Sequence, residues 1–225
     1  MAEGIKWLVP PVLKALKGSS RFTGVQKVRV KDFWRFALGD LRMNNARGYL
    51  AEYLVGTALG IKSLQRIEWD SYDLLFGDIT VEVKSSAYLQ LWDQKKLSTL
   101  SFSGLQGTRY NPRAPDGGED PQGRRFNAMV YVFCVQTVTE HDLYDQLDVT
   151  QWKFYVISRS DLAATKQKSL GIARVESLSH GPTAWNDLQA AVTAAAAGQA
   201  REDDADWWDS SSDMTSSAAP TPATD

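Results

Sequence analysis

Three side chains within residues 70–92, Asp73, Glu82 and Lys84, have the types and spacing to handle phosphate. Tyr72 to Phe76 is a short apolar run, and Ile79 to Lys84 is β-branched and alternating, so both read as strands. Gly77-Asp78 between them suits a two-residue hairpin loop with positive φ at the glycine. That loop fixes a register in which Phe76 faces Ile79, Leu74 faces Val81, Asp73 faces Glu82 and Tyr72 faces Val83. Tyr72, Leu74, Phe76, Ile79, Val81 and Val83 then share a core face, and Asp73, Leu75, Thr80, Glu82 and Lys84 share the other. Asp73 and Glu82 become a cross-strand pair with Cβ atoms ~5 Å apart, and like charges there repel. A proton or a divalent cation between them relieves the repulsion. A hard cation held by two carboxylates polarises a phosphoryl oxygen and acidifies a bound water, while the neighbouring ammonium orients that water. A solvated surface hairpin is the plain alternative, but a polar face ordinarily pairs opposite charges and this one opposes two acids.

The flanking chain supplies elements to hold this hairpin. A helix capped by Asn44 or Asn45 runs to just before Gly60, with Leu50, Tyr53, Leu54, Thr57 and Ala58 as its core stripe. Glu52 lies off that stripe, with Gly48 and Gly56 one turn either side. Each glycine costs a helix ~1 kcal/mol against alanine, so the pair suggests a close approach beside the acid. Before it, Asp32 to Leu41 has helical spacing in Phe33, Trp34, Ala37, Leu38 and Leu41. Ile61 to Trp69 leads into the sheet. Past Lys84 the alternation continues through Ser86, Tyr88, Gln90 and Trp92 on the lysine's face. Leu97 to Ser103 is a further strand. Residues 104–125 form a long loop, whose Arg109, Tyr110, Arg113, Arg124 and Arg125 suit a nucleic acid, diluted by Asp116, Glu119 and Asp120. Met129 to Thr137 reads as the central buried strand, Gln151 to Ser158 as another, Ser160-Asp161 as the start of a short helix, Ser169 to Ser177 as an edge segment, and Thr183 to Gly198 as a helix packed through Trp185, Leu188 and Val192.

Composition narrows the class. The 225 residues are 43% hydrophobic and 11% aromatic, enough for one sizeable core. A single cysteine, Cys134, sits in an apolar run and reads as an inert core thiol, which fits a reducing compartment. His141 and His180 have no companion ligands for zinc. No signal peptide or membrane segment is visible, which places the protein in the cytoplasm. The net charge is −2, yet residues 201–225 alone carry seven acids and one base, leaving 24 bases and 20 acids in residues 1–200. Residues 1–48 hold ten Lys/Arg against Glu3, Asp32 and Asp40. A basic stretch on a folded body suits a polyanionic partner. We read residues 1–197 as one domain with a basic N-terminal segment over 1–30. Residues 198–225 read as a disordered acidic tail, in which Trp207-Trp208 offers a contact for a partner.

Asp73, eight intervening residues and Glu82-Val83-Lys84 resemble the PD-(D/E)XK nuclease superfamily, with Tyr72-Asp73 standing where the pattern has Pro-Asp. The stretch from Trp69 to Trp92, the Tyr131-Val-Phe strand and Gln151-Trp-Lys-Phe-Tyr-Val156 also resemble an uncharacterised branch of small bacterial nuclease-like proteins, over residues 45–175. The resemblance implies a restriction-endonuclease-like α/β fold, a mixed central β-sheet flanked by α-helices. It implies a nuclease acting on nucleic acid, DNA above all. Asp73, Glu82 and the Val83 backbone carbonyl would bind Mg²⁺ or Mn²⁺, and Lys84 would position or activate the water. Many members carry a helical glutamate that helps hold the metal, here Glu52 in Arg47-Gly-Tyr-Leu-Ala-Glu52. Several carry a glutamine shortly after the lysine, here Gln90. Cutting both strands of a duplex is commonly the work of a homodimer. The rival expectations are a nuclease-fold module that binds nucleic acid or protein without chemistry, and a purely structural protein.

Overall fold

In a computed structural model the described residues are 14–66, 71–110 and 123–200, with single positions at 8, 11, 118 and 120. The acidic tail, with Trp207 and Trp208, lies outside the described residues. The chain forms two compact units, Met1–Leu41 and Arg42–Asp225. In the first, the strand-like bridge Arg21↔Arg29 precedes helix α1, Val30–Leu38. The Arg29 N–H donates to Asp32 Oδ2 at 2.9 Å, which closes the helix start. The helix begins two residues earlier than the spacing suggests, and its apolar stripe is not a core. Only Val30 is buried, while Phe33, Trp34, Phe36 and Leu38 are exposed.

The second unit is mixed α/β. A four-stranded sheet has the order β1-β2-β4-β5, with β1 Leu74–Phe76, β2 Ile79–Ala87, β4 Val130–Gln136 and β5 Trp152–Ser158. The β1–β2 and β4–β5 pairs are antiparallel, and β2–β4 is parallel, as a crossover requires. Strand β4 is buried at every position, as its apolar run requires for a strand covered on both faces. One face packs α2 (Asn44–Ala58) and α5 (Leu188–Ala196) over Leu74, Val81, Val83, Val130, Val132 and Cys134. The Cys134 thiol is fully buried, and that burial pushes its pKa up, so it is an inert core thiol. The other face packs α3 (Arg159–Thr165), α4 (Ile172–Ser179) and the small β3–β6 pair (Ser101–Phe102, Leu170–Gly171) over Tyr131, Phe133, Tyr155 and Ile157.

Several elements differ from the sequence expectation, for local reasons. Helix α2 ends as expected, with Gly60 at φ +72° after it, but Asn44 and Asn45 lie inside its first turn and the N-cap is Met43, which makes no side-chain cap bond. Its buried stripe is rotated, however, running through Ala51, Leu54, Val55 and Leu59, while Tyr53 and Thr57 face out. Small and branched side chains let the helix lie close on the sheet, and tyrosine does not. Of the strand expected over 97–103 only Ser101–Phe102 pairs. The expected edge segment contributes Leu170–Gly171 and then turns into α4. The C-terminal helix starts with a 3-10 turn at Trp185–Asp187, and the Trp185 Nε1–H donates to the Leu54 carbonyl at 3.2 Å. Two arginines of the long loop are spent internally: Arg125 pairs with Asp120, and Arg124 donates to the Gln106 carbonyl. Arg113 lies outside the described residues. No described helix is long and apolar enough to cross a membrane.

Candidate active site

The hairpin closes as its turn residues dictate. Gly77 takes φ +57°, and Phe76↔Ile79, Leu75↔Thr80 and Leu74↔Val81 pair in the expected register. One residue further on, the register breaks. The Asp73 N–H donates to the Val81 carbonyl at 3.1 Å, so Asp73 and Leu74 both oppose Val81, the two-against-one count of a β-bulge. The direct Asp73–Glu82 cross-strand pair is therefore corrected. The same shift moves Tyr72 off the Val81 face, and it packs against the Phe133 cluster instead. Thr80, expected on the open face, is buried, and its Oγ1 accepts the Met129 N–H at 2.9 Å.

The bulge brings the acids together by another route. Residues 79, 81 and 83 turn their N–H and C=O groups toward the β1 edge. Where β1 ends, the Asp73 carboxylate takes over, and its Oδ2 accepts the Val83 N–H at 2.7 Å. The Val83 carbonyl faces that same edge. Glu82 and Lys84 pair in register with Tyr131 and Phe133, so they share the face of the second cluster. Lys84 Nζ lies 2.6 Å from Glu82 Oε1, with the two side chains 25% and 17% exposed. From α2, Glu52 enters with its side chain 15% exposed and accepts from Arg66 Nε at 3.0 Å. The Arg66 guanidinium also sits 4.7 Å over the Tyr49 ring.

These groups sense one another's charge. Burial pushes the Glu82 pKa up to about 7; Asp73 and Glu52 add to the rise, and Lys84 opposes it. Burial also raises Asp73, against the Val83 N–H, Lys84 and Arg66. Glu52 rises through burial and Asp73, opposed by Arg66 and Lys84. Three carboxyls thus face two cations in a partly dry site, where burial raises all three and Asp73 adds to the rise at Glu82 and Glu52.

A hard dication fits that donor set, which offers carboxylate and carbonyl oxygens and no sulfur or imidazole. The side chains are engaged, though: Glu82 by Lys84 and Glu52 by Arg66. Among the described residues no group of three His, Cys, Asp or Glu side chains is gathered at ligand spacing. Each ion pair takes one oxygen of its carboxylate, Glu82 Oε1 and Glu52 Oε2, so Asp73, Glu82 and Glu52 must draw closer to share one ion with the Val83 carbonyl through their remaining oxygens.

Gln90 stands elsewhere. Strand β2 ends at Ala87, so the alternation expected to carry through to Trp92 stops short. The Gln90 Nε2 donates to the Ala87 carbonyl and to Ser98 Oγ, both at 3.2 Å, and its backbone N–H donates to Gln94 Oε1 at 2.7 Å. Its Oε1 accepts from the buried Arg47 at 3.5 Å. These bonds tie a loop to helix α2. Gln90→Ala is expected to cost about 1–2 kcal/mol of stability in urea unfolding, by orphaning those partners, while leaving any phosphodiester hydrolysis within a few-fold of wild type.

The two helical glycines separate cleanly. A Cβ at Gly56 would strike Leu64, so the close approach there is by the protein's own chain. At Gly48 a Cβ meets nothing within 4 Å. Gly48→Ala is expected to stabilise by about 1 kcal/mol through helix propensity, and Gly56→Ala to destabilise through overpacking, both read from urea midpoints. Arg66 is the site residue that sequence reasoning missed. It lies in an irregular stretch with no periodicity, so nothing local marked it. No family model matches the chain, and neither a curated protein nor a solved structure matches it.

Proposed function

We propose that the protein is a divalent-metal-dependent nuclease that hydrolyses phosphodiester bonds in DNA, on a restriction-endonuclease-like fold. The observation that carries this reading is the meeting of Asp73, Glu82, Glu52 and Lys84 at the point where β1 leaves β2. A desolvated carboxyl whose pKa reaches about 7 beside two other acids is costly to keep unless the excess charge is used. Asp73, Glu82 and the Val83 carbonyl would hold Mg²⁺ or Mn²⁺, with Glu52 completing the acidic wall. When bound, the ion polarises the phosphoryl oxygen and acidifies water. Lys84, gripped by Glu82, is held where its Nζ orients the attacking water and offsets charge growing on the phosphate. Arg66 neutralises Glu52 and offers a second cation to a phosphate oxygen. The basic excess in residues 1–48 supports a polyanionic substrate.

The test is incubation of the full chain with plasmid and single-stranded DNA in Mg²⁺ or Mn²⁺, with EDTA as control. Metal-dependent nicking or degradation is expected. A protein inert on every nucleic acid and ion tried sinks the enzyme reading. The two ion pairs that occupy Glu82 and Glu52 favour one alternative, a nuclease-fold module that binds nucleic acid or protein without cutting. That module keeps its binding in EDTA and in Glu82→Ala.

A further inference from the structure

A cleft of about 200 Å³ opens directly beside Asp73 and Glu52, walled by Tyr49, Tyr53, Leu64 and Arg66. We infer that it receives the base of an unpaired nucleotide next to the scissile phosphate, so that the preferred substrate is single-stranded or frayed DNA. The inference rests on the nuclease reading for its orientation, but it makes a separate claim about binding.

Tyr49 and Tyr53 lie four residues apart on α2, so their rings are neighbours on one helix face. They are 42% and 59% exposed and belong to neither core cluster. The hydrophobic core does not use these rings, although Arg66 lies over Tyr49, and exposed aromatic faces are what bases stack on, whatever their sequence. The cleft has room for a single base, not for a duplex. Arg66 supplies the matching charge: its guanidinium sits over Tyr49, is bonded by Glu52, and remains half-exposed. A base against the tyrosines would bring its own phosphate to Arg66 and the neighbouring phosphodiester to Asp73. An unpaired strand can turn a base sideways into such a cleft at little cost, whereas a paired one must first be unstacked.

The experiment uses the full chain in EDTA, which removes hydrolysis from the measurement. Fluorescence anisotropy follows one short fluorescein-labelled oligodeoxynucleotide, free and annealed to its complement. Tyr49→Ala and Tyr53→Ala are each expected to weaken single-strand binding about tenfold or more. Tyr49→Phe and Tyr53→Phe should restore it, and duplex binding should change about twofold or less. Unchanged single-strand binding in the alanine variants overturns the inference. So does an equal loss for single strand and duplex, which is the signature of a purely electrostatic or structural effect. Photo-cross-linking of an iododeoxyuridine-substituted strand to the wild-type chain needs no variant: adducts at Tyr49 or Tyr53 are expected, and adducts solely elsewhere overturn it. If Mg²⁺-dependent cleavage fails while tyrosine-dependent binding persists, the nuclease reading falls and this one stands. If cleavage occurs while the alanine variants bind normally, this one falls alone.

Discussion

Replacing Lys84 with methionine is expected to lower the rate of DNA hydrolysis by roughly 10³-fold or more, while DNA binding changes only a few-fold. Methionine keeps most of the apolar stem beside Phe133 and removes only the ammonium, so a loss of rate is not a loss of packing. The effect is large because Nζ stands 2.6 Å from Glu82 in a site that is mostly desolvated, where a positive charge acts through a low dielectric. Glu82→Gln keeps the shape of the acid and should be at least as damaging, since it also removes a metal donor. The two losses should not add. Lys84 and Glu82 work as one unit, so the double variant is expected to be about as slow as the worse single one. Steady-state cleavage of a labelled strand, with binding measured alongside in EDTA, checks both statements. A Lys84→Met enzyme with wild-type turnover removes the lysine from the chemistry. Fully additive losses would mean that the ion pair has no joint role.

The legible part of this fold was whatever local rules determine. Gly77-Asp78 dictated a tight turn, and three pairs of the hairpin followed. The apolar run at Val130–Gln136 read as a strand covered on both faces, and it is. The Asn44–Ala58 helix ended where Gly60 said it would, although its N-cap is Met43 and not an asparagine. What failed was whatever depends on a neighbour distant in sequence. The bulge at Asp73 follows from a carboxylate satisfying the Val83 N–H beyond the end of β1, and no periodicity records that. The α2 stripe was misjudged at Tyr53 because hydrophobic spacing cannot tell a ring that fits the sheet from one left in solvent. Gln90 was read along an alternation that the chain abandons at Ala87. The grouping of Asp73 with Glu82 was reached from a false cross-strand pair, yet the two charges do sense each other, because the bulge leaves Asp73 within electrostatic reach of Glu82. Arg66 had no local signal at all.

That proximity makes stability depend on pH in a direction opposite to that of an ordinary salt-bridged acid. Glu82 has a folded pKa of about 7, above the 4.5 of the free side chain. Below pH 4.5 the carboxyl is protonated in both folded and unfolded chains, and nothing is lost. As pH rises through 7 the unfolded chain has already ionised, and the folded chain must ionise in a dry site beside Asp73 and Glu52. Stability is therefore lost over about pH 4.5–7, on the order of 3 kcal/mol if the whole shift is expressed. Glutamine mimics the protonated acid. Glu82→Gln should melt near the wild-type temperature at pH 4.5 and roughly 6–12 °C above it at pH 8. The raised values of Asp73 and Glu52 act in the same direction and remain in both proteins. Mg²⁺ should then behave as a competitor of protons, since a hard cation needs the ionised carboxylates. It is expected to raise the wild-type melting temperature more at pH 8 than at pH 6, and to do little for Glu82→Gln. Thermal melts at constant ionic strength, with and without Mg²⁺, measure both effects. A difference between wild type and Glu82→Gln that stays flat from pH 4.5 to 8 would place the Glu82 carboxyl in water, and the crowding of charge on which the site depends would be gone.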